Sequence, residues 1–117
     1  MPTSGVSLLL DLYDCKSPLN NDAVLEQLFS SALQFGGLEP LEHLTQKFAP
    51  YGTTHIFILK QAHATIHTWA QNGYVAVDVY ATGDPAAIRP ALEIIRGYLT
   101  QKLIARTAKA QLIERGT

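Results

Sequence analysis

One cysteine, one tryptophan and one methionine in 117 residues leave almost no material for covalent staples or thiolate metal sites. Cys15, standing alone, excludes a disulfide within the chain and suits a reducing compartment, so a cytoplasmic protein is expected. Charge is also sparse: nine basic residues against ten acidic ones give a formal net charge of −1. That balance offers no electrostatic footprint for nucleic acid or for an anionic membrane, and neither is expected as a partner. Long hydrophobic runs are missing too. The stretch Val6 to Leu10 is too short for the core of a signal peptide and far too short to cross a bilayer. With no internal repeat, linker or low-complexity tract, the expectation is one soluble domain over residues 1–117, whose 47% hydrophobic content is enough for a single core.

The hydrophobic periodicity assigns the elements. Residues 5–13, GVSLLLDLY, read as a strand whose blurred alternation implies a mostly buried position. Asn20, Asn21 or Asp22 can cap a helix carrying Val24, Leu25, Leu28, Phe29, Ala32 and Leu33 on one stripe, and Gly36-Gly37 ends it. A second strand is expected from Leu41 to Phe48 and a third from Thr53 to Lys60. A last helix carries Ile88, Leu92, Ile95, Tyr98, Leu99 and Leu103, with Pro90 suggesting that regular helix starts only near Arg89. Residues 104–113 supply the final strand. The order β-α-β-β-β-β-α-β fits an α+β fold, a two-layer sandwich in which two helices cover one face of a mainly antiparallel sheet.

The middle of the chain, from Pro50 to Asp84, carries three of the four histidines and the tryptophan. Asn72-Gly73 is a hairpin signal, since both residues tolerate the positive φ of a type I′ turn. It joins AHATIHTW to YVAVDVYA, and strand alternation puts His63, Thr65, His67 and Trp69 on one face, with Ala64, Ile66 and Thr68 on the other. A two-residue turn sets His67 opposite Asp78, Thr65 opposite Tyr80 and His63 opposite Thr82, whereas a four-residue loop shifts the pairing by two. Trp69, Tyr74, Tyr80 and the two histidines then form an aromatic surface away from the helices, which a second copy of the chain is expected to cover.

These residues resemble the small prokaryotic S-adenosylmethionine decarboxylases. The matching positions are Pro50-Tyr51-Gly52, Thr54, His63, Thr65-Ile66-His67-Thr68-Trp69, Gly73-Tyr74, Asp78 and Gly83, in order and without a gap. The opening GVSLLLDLYDC and the closing Glu114-Arg115-Gly116 extend the likeness to the whole chain. The resemblance implies a homodimer with the substrate site beside its interface. It also implies a chain that cuts itself before a serine, leaving a pyruvoyl group that forms a Schiff base with the substrate amine and takes up the electrons left when carbon dioxide departs.

The departures fall on the chemistry. Where the resemblance places the cut, this chain has Gln61 and Ala62, and a methyl group is no nucleophile. The family's proton-donating cysteine corresponds to Thr82, a far weaker acid, and its substrate-binding acid to Gln71, which can still hydrogen-bond a ribose. Thr54 replaces an assisting serine and keeps a hydroxyl, His67 is retained, and Phe48 matches an adenine-stacking position. His63, Trp69 and Asp78 complete the candidate substrate-binding set. No pyruvoyl, and so no cofactor, is expected in the chain as it stands.

Several changes in one site favour a non-catalytic paralogue that binds S-adenosylmethionine or a related nucleoside, as a homodimer or as a heterodimer with an active paralogue. The alternative is a decarboxylase of the spermidine pathway, seen as a proenzyme trapped by serine-to-alanine exchange. A metal site on His55, His63, His67 and Asp78 is a third class. His63 and His67 lie about 13 Å apart on a strand rising about 3.3 Å per residue, too far to share one ion, so no metal is expected.

Overall fold

In the computed structural model, which describes residues 3–116, six antiparallel strands form one sheet in the order β2-β3-β4-β5-β1-β6. The strands are β1 (Gly5–Tyr13), β2 (Pro40–Lys47), β3 (Thr53–Leu59), β4 (Ala62–Trp69), β5 (Tyr74–Thr82) and β6 (Thr107–Arg115); the helices are α1 (Asp22–Phe35) and α2 (Pro85–Lys102). This is the α+β sandwich expected from the element order.

Alternation decides which side chains meet the helices. Val6, Leu8, Leu10 and Leu12 of β1, Ala64 and Ile66 of β4, and Val75, Val77 and Val79 of β5 are buried against Leu25, Phe29 and Leu33 of α1 and Leu92, Ile95 and Leu99 of α2. The opposite set of each strand faces away, and there Leu9, Leu44, Ile56, Ile58, Trp69 and Ile113 remain exposed. β1 lies between β5 and β6, inside the sheet, which explains its near-continuous apolar sequence.

α1 begins where the Asn21 side chain accepts a hydrogen bond from the Val24 N–H at 3.2 Å. It ends at Gly36, after which Gly37 takes φ +88°, and the Leu38 N–H reaches back to the Leu33 carbonyl at 3.0 Å. α2 starts earlier than Pro90 suggested. Asp84 caps it by accepting from the Ala86 N–H at 3.1 Å, and Pro85 occupies the first helical position, where a proline has no donor to lose. Pro90 sits on the exposed side, so one backbone bond is forfeited while Leu92, Ile95 and Leu99 stay buried. The last strand also differs, running over Thr107–Arg115 instead of 104–113. Leu103, fully buried, closes the helix, and Ile104 at φ 52° turns the chain outward.

The register of the central hairpin corrects the two-residue turn. Ala70–Asn72 form a single 3-10 turn, Gly73 takes φ 62°, and Trp69 pairs with Tyr74, so the loop has four residues. His67 therefore faces Ala76, Thr65 faces Asp78 and His63 faces Tyr80; His67 is not opposite Asp78. The rings of Trp69 and Tyr74 stack at 5.3 Å, and the Gly73 carbonyl accepts from the Cys15 N–H at 2.9 Å. Both contacts favour the longer loop.

Candidate functional site

The candidate residues form two groups, mostly on the face away from the helices; Ala62 instead points to the helix side, against the core. The first lies at the β3 start and β4 end. Thr54 and His67 are cross-strand partners, and the Thr54 hydroxyl shares a 2.8 Å hydrogen bond with His67 Nδ1. This fixes the imidazole plane without Asp78, the residue that a two-residue turn would have set opposite His67. The His67 ring stacks on Trp69 at 5.8 Å, Trp69 on Tyr74 and Tyr74 on Tyr13 at 5.3 Å each, giving an aromatic ladder across three strands. Tyr74 is anchored by donating to Asp11 at 2.5 Å; that bond and burial push its phenol up to about 12. Phe48, 55% exposed, closes a cavity of about 310 Å³ with Tyr51, Gly52, Thr54, His67 and Trp69. A planar purine suits such a lining of ring faces with a few polar atoms. Gln71 lies exposed in the 3-10 turn next to this cavity and does not line it.

The second group lies at the other end of β4. Lys60 and Gln61 form a two-residue turn between Leu59 and Ala62, and Gln61 takes φ 58°, an uncommon conformation for a residue with a side chain. Its carbonyl accepts twice from Thr82: from the backbone N–H at 3.0 Å and from the hydroxyl at 2.8 Å. The carbonyl is thus polarised by two donors, with the half-buried Ala62 methyl immediately after it. His63 sits beside Tyr80, ring centroids 5.8 Å apart. Sequence reasoning named Thr82 as a lost proton donor and missed that its hydroxyl is committed to Gln61.

Ala62 and His67 are five residues apart on one strand, about 16 Å at about 3.3 Å per residue. One chain therefore does not bring Ala62 and Thr82 together with Thr54, His67 and Phe48. Asp78 faces Thr65 between the two groups, exposed. His55 points the other way, 0% exposed among the helix-side residues, so it shares no site with His63 or His67. Among the described residues no group of three or more His, Cys, Asp or Glu side chains is placed to hold a metal ion.

The family model for S-adenosylmethionine decarboxylase matches residues 6–116. The chain belongs to that family. It is 36% identical over 118 residues to an S-adenosylmethionine decarboxylase proenzyme of Bacillus cytotoxicus, covering all of this chain and 88% of that one. A proenzyme of the same description from Prochlorococcus marinus is 38% identical over 99 residues, covering 84% of this chain and 79% of that one. The crystal structure of the adenosylmethionine decarboxylase from Aquifex aeolicus superposes with a TM-score of 0.81 at 29% identity, covering 100% of this chain and 94% of that one.

The pyruvoyl group implied by the family resemblance does not fit these residues. Its formation requires a hydroxyl on the residue following the polarised carbonyl, and Ala62 offers none; the nearest hydroxyl, on Thr82, already donates to that carbonyl oxygen rather than facing its carbon. Cys15 supplies no replacement nucleophile. It sits just past β1, half-buried, and burial together with the Asp14 charge pushes its thiol up to about 11. At pH 8 almost no thiolate is present, so alkylation of the folded protein by iodoacetamide is expected to be at least about tenfold slower than in denaturant. Equal rates in the two states would show an accessible, ordinary thiol.

Proposed function

We propose that this chain is a non-catalytic member of the S-adenosylmethionine decarboxylase family, which binds S-adenosylmethionine or a related nucleoside and acts in the control of spermidine synthesis in the cytoplasm. The observation that carries this reading is the Gln61–Ala62 bond: its carbonyl is held by Thr82, but the next residue has no hydroxyl to attack it. The Phe48, Tyr51 and Trp69 cavity, by contrast, keeps the aromatic faces and the Thr54–His67 bond that a nucleoside site needs.

The uncovered sheet face supports pairing with a second chain, since Leu9, Ile56, Ile58, Trp69 and Ile113 form an apolar surface ringed by tyrosines and histidines. A homodimer covers this face on both copies. The uneven state of the two groups favours, as a second reading, a heterodimer with an active paralogue. The end bearing Phe48, Thr54 and His67 keeps its hydrogen-bonding atoms, while the end bearing Ala62 has lost its nucleophile, so this chain can contribute the former to a relative that keeps the latter.

Titration calorimetry with S-adenosylmethionine, on protein shown by intact mass to be uncut, tests the reading. Saturable heat without release of carbon dioxide is the expected result. No heat at millimolar ligand would remove the binding function, and a cut chain that releases carbon dioxide would establish a decarboxylase instead.

A further inference from the structure

We propose that Arg115 makes the pocket beside His63 a carboxylate-reading subsite, so that the protein holds intact S-adenosylmethionine in preference to its decarboxylated product; this rests on the reading above that an adenosyl ligand binds. The pocket, about 290 Å³, opens on the face away from the helices and is lined by Ser7, His63, Thr65, Asp78, Tyr80 and Arg115, among others. Its place follows from register. Arg115 of β6 pairs with Gly5 of β1, and Gly5 pairs with Thr82 of β5, whose hydroxyl holds the Gln61 carbonyl. Two strand spacings put the Arg115 and Thr82 backbones about 10 Å apart. Gly5 puts no side chain between them, and a Cβ there would lie 2.7 Å from the Tyr80 hydroxyl.

The Tyr80 ring fills this gap, and the guanidinium lies against it. It lies 4.8 Å from the centre of the Tyr80 ring, and its Nη1 donates to the Ser7 hydroxyl at 3.4 Å. Arg89 and Arg96 are paired with Glu114 and Glu93, but among the described residues no carboxylate lies within ion-pairing distance of Arg115. Asp78 lines the same pocket and is likewise unpaired among the described residues. One oriented cation and one free carboxylate in a pocket of this size match the two charges of an α-amino acid: carboxylate on the guanidinium fork, ammonium on Asp78. Without a pyruvoyl to capture the amine, both charges of the ligand persist and need such partners. Overall charge acts in the opposite direction. The decarboxylated product carries one more positive charge and the protein is net negative, so a preference for the intact molecule requires a placed cation.

Calorimetry with S-adenosylmethionine, its decarboxylated product and S-adenosylhomocysteine, on the wild type and on Arg115→Met and Arg115→Lys, tests this. The wild type is expected to bind the two carboxylate-bearing ligands at least about tenfold tighter than the decarboxylated one, a preference that Arg115→Met abolishes and Arg115→Lys keeps in part. Unchanged thermal melting of the variants shows that the sheet edge is intact. Equal binding of all three ligands by the wild type, or a preference that survives Arg115→Met, overturns the subsite while leaving adenosyl binding in place. Absence of binding by any of them overturns both.

Discussion

Ala62→Ser is expected to make the chain breakable after Gln61. The new hydroxyl oxygen attacks the Gln61 carbonyl carbon, and negative charge grows on an oxygen that already accepts from the Thr82 N–H and hydroxyl. The carbon–nitrogen bond then breaks, the freed nitrogen takes the proton given up by the hydroxyl, and an ester joins the two segments. Donors aimed at a developing oxyanion contribute about 10² to 10³ in rate each, so Ala62→Ser combined with Thr82→Ala, which keeps only the backbone donor, is expected to cut about a hundredfold more slowly. Hydroxylamine, which attacks esters and spares amides, makes the shift visible by intact mass. A serine variant that stays whole in hydroxylamine for days would show that Thr82 merely fastens a turn.

The sequence reading was most accurate where one physical rule acted alone. β1 matches residues 5–13, and α1 starts at Asn21, one of the three candidate caps, and stops at Gly36-Gly37, because caps and a continuous buried stripe confine the ends to a residue or two. The faces of β4 were legible from alternation: Ala64, Ile66 and Thr68 are buried, and His63 and Trp69 are exposed. Register was not, because Asn72-Gly73 is compatible with loops of two or four residues, and the choice was made by Cys15 and by the Trp69–Tyr74 stack, both outside the turn chemistry. The Lys60-Gln61 turn carries no glycine, asparagine or proline and gave no signal. The role of Arg115 required the pairing of β6 with β1 and of β1 with β5, three segments distant in sequence, which a motif match to Glu114-Arg115-Gly116 does not reveal. Family positions therefore named the candidate residues, and only the sheet showed which of them meet.

Phe29→Ala is expected to destabilise the fold by about 3–5 kcal/mol and, unusually for a core truncation, to flatten the dependence of stability on pH. Phe29 is fully buried on α1, and its ring meets the edge of His55 at 5.1 Å. His55 is itself fully buried; its Nδ1 shares a 3.3 Å hydrogen bond with Thr45, and its Nε2 has no partner among the described residues. Burial lowers the His55 pKa below its ordinary value of 6.5, the nearby Asp22 and Glu26 charges oppose that shift, and His43, stacked on it, adds to it. Because the folded pKa lies below the unfolded one, the unfolded chain binds more protons between the two values. The stability tied to a neutral His55 is therefore complete above about pH 6.5 and is lost as pH falls toward the folded pKa. Removing the phenyl ring opens a cavity beside the His55 imidazole, room that a water can enter and use to reach the ring. Hydration lets His55 accept its proton closer to pH 6.5, so the acid-side loss shrinks even as overall stability drops. Urea unfolding of wild type and variant at pH 5.5 and pH 8 measures both effects; a constant difference between the two proteins at both pH values would show that the phenyl ring does not keep His55 dry.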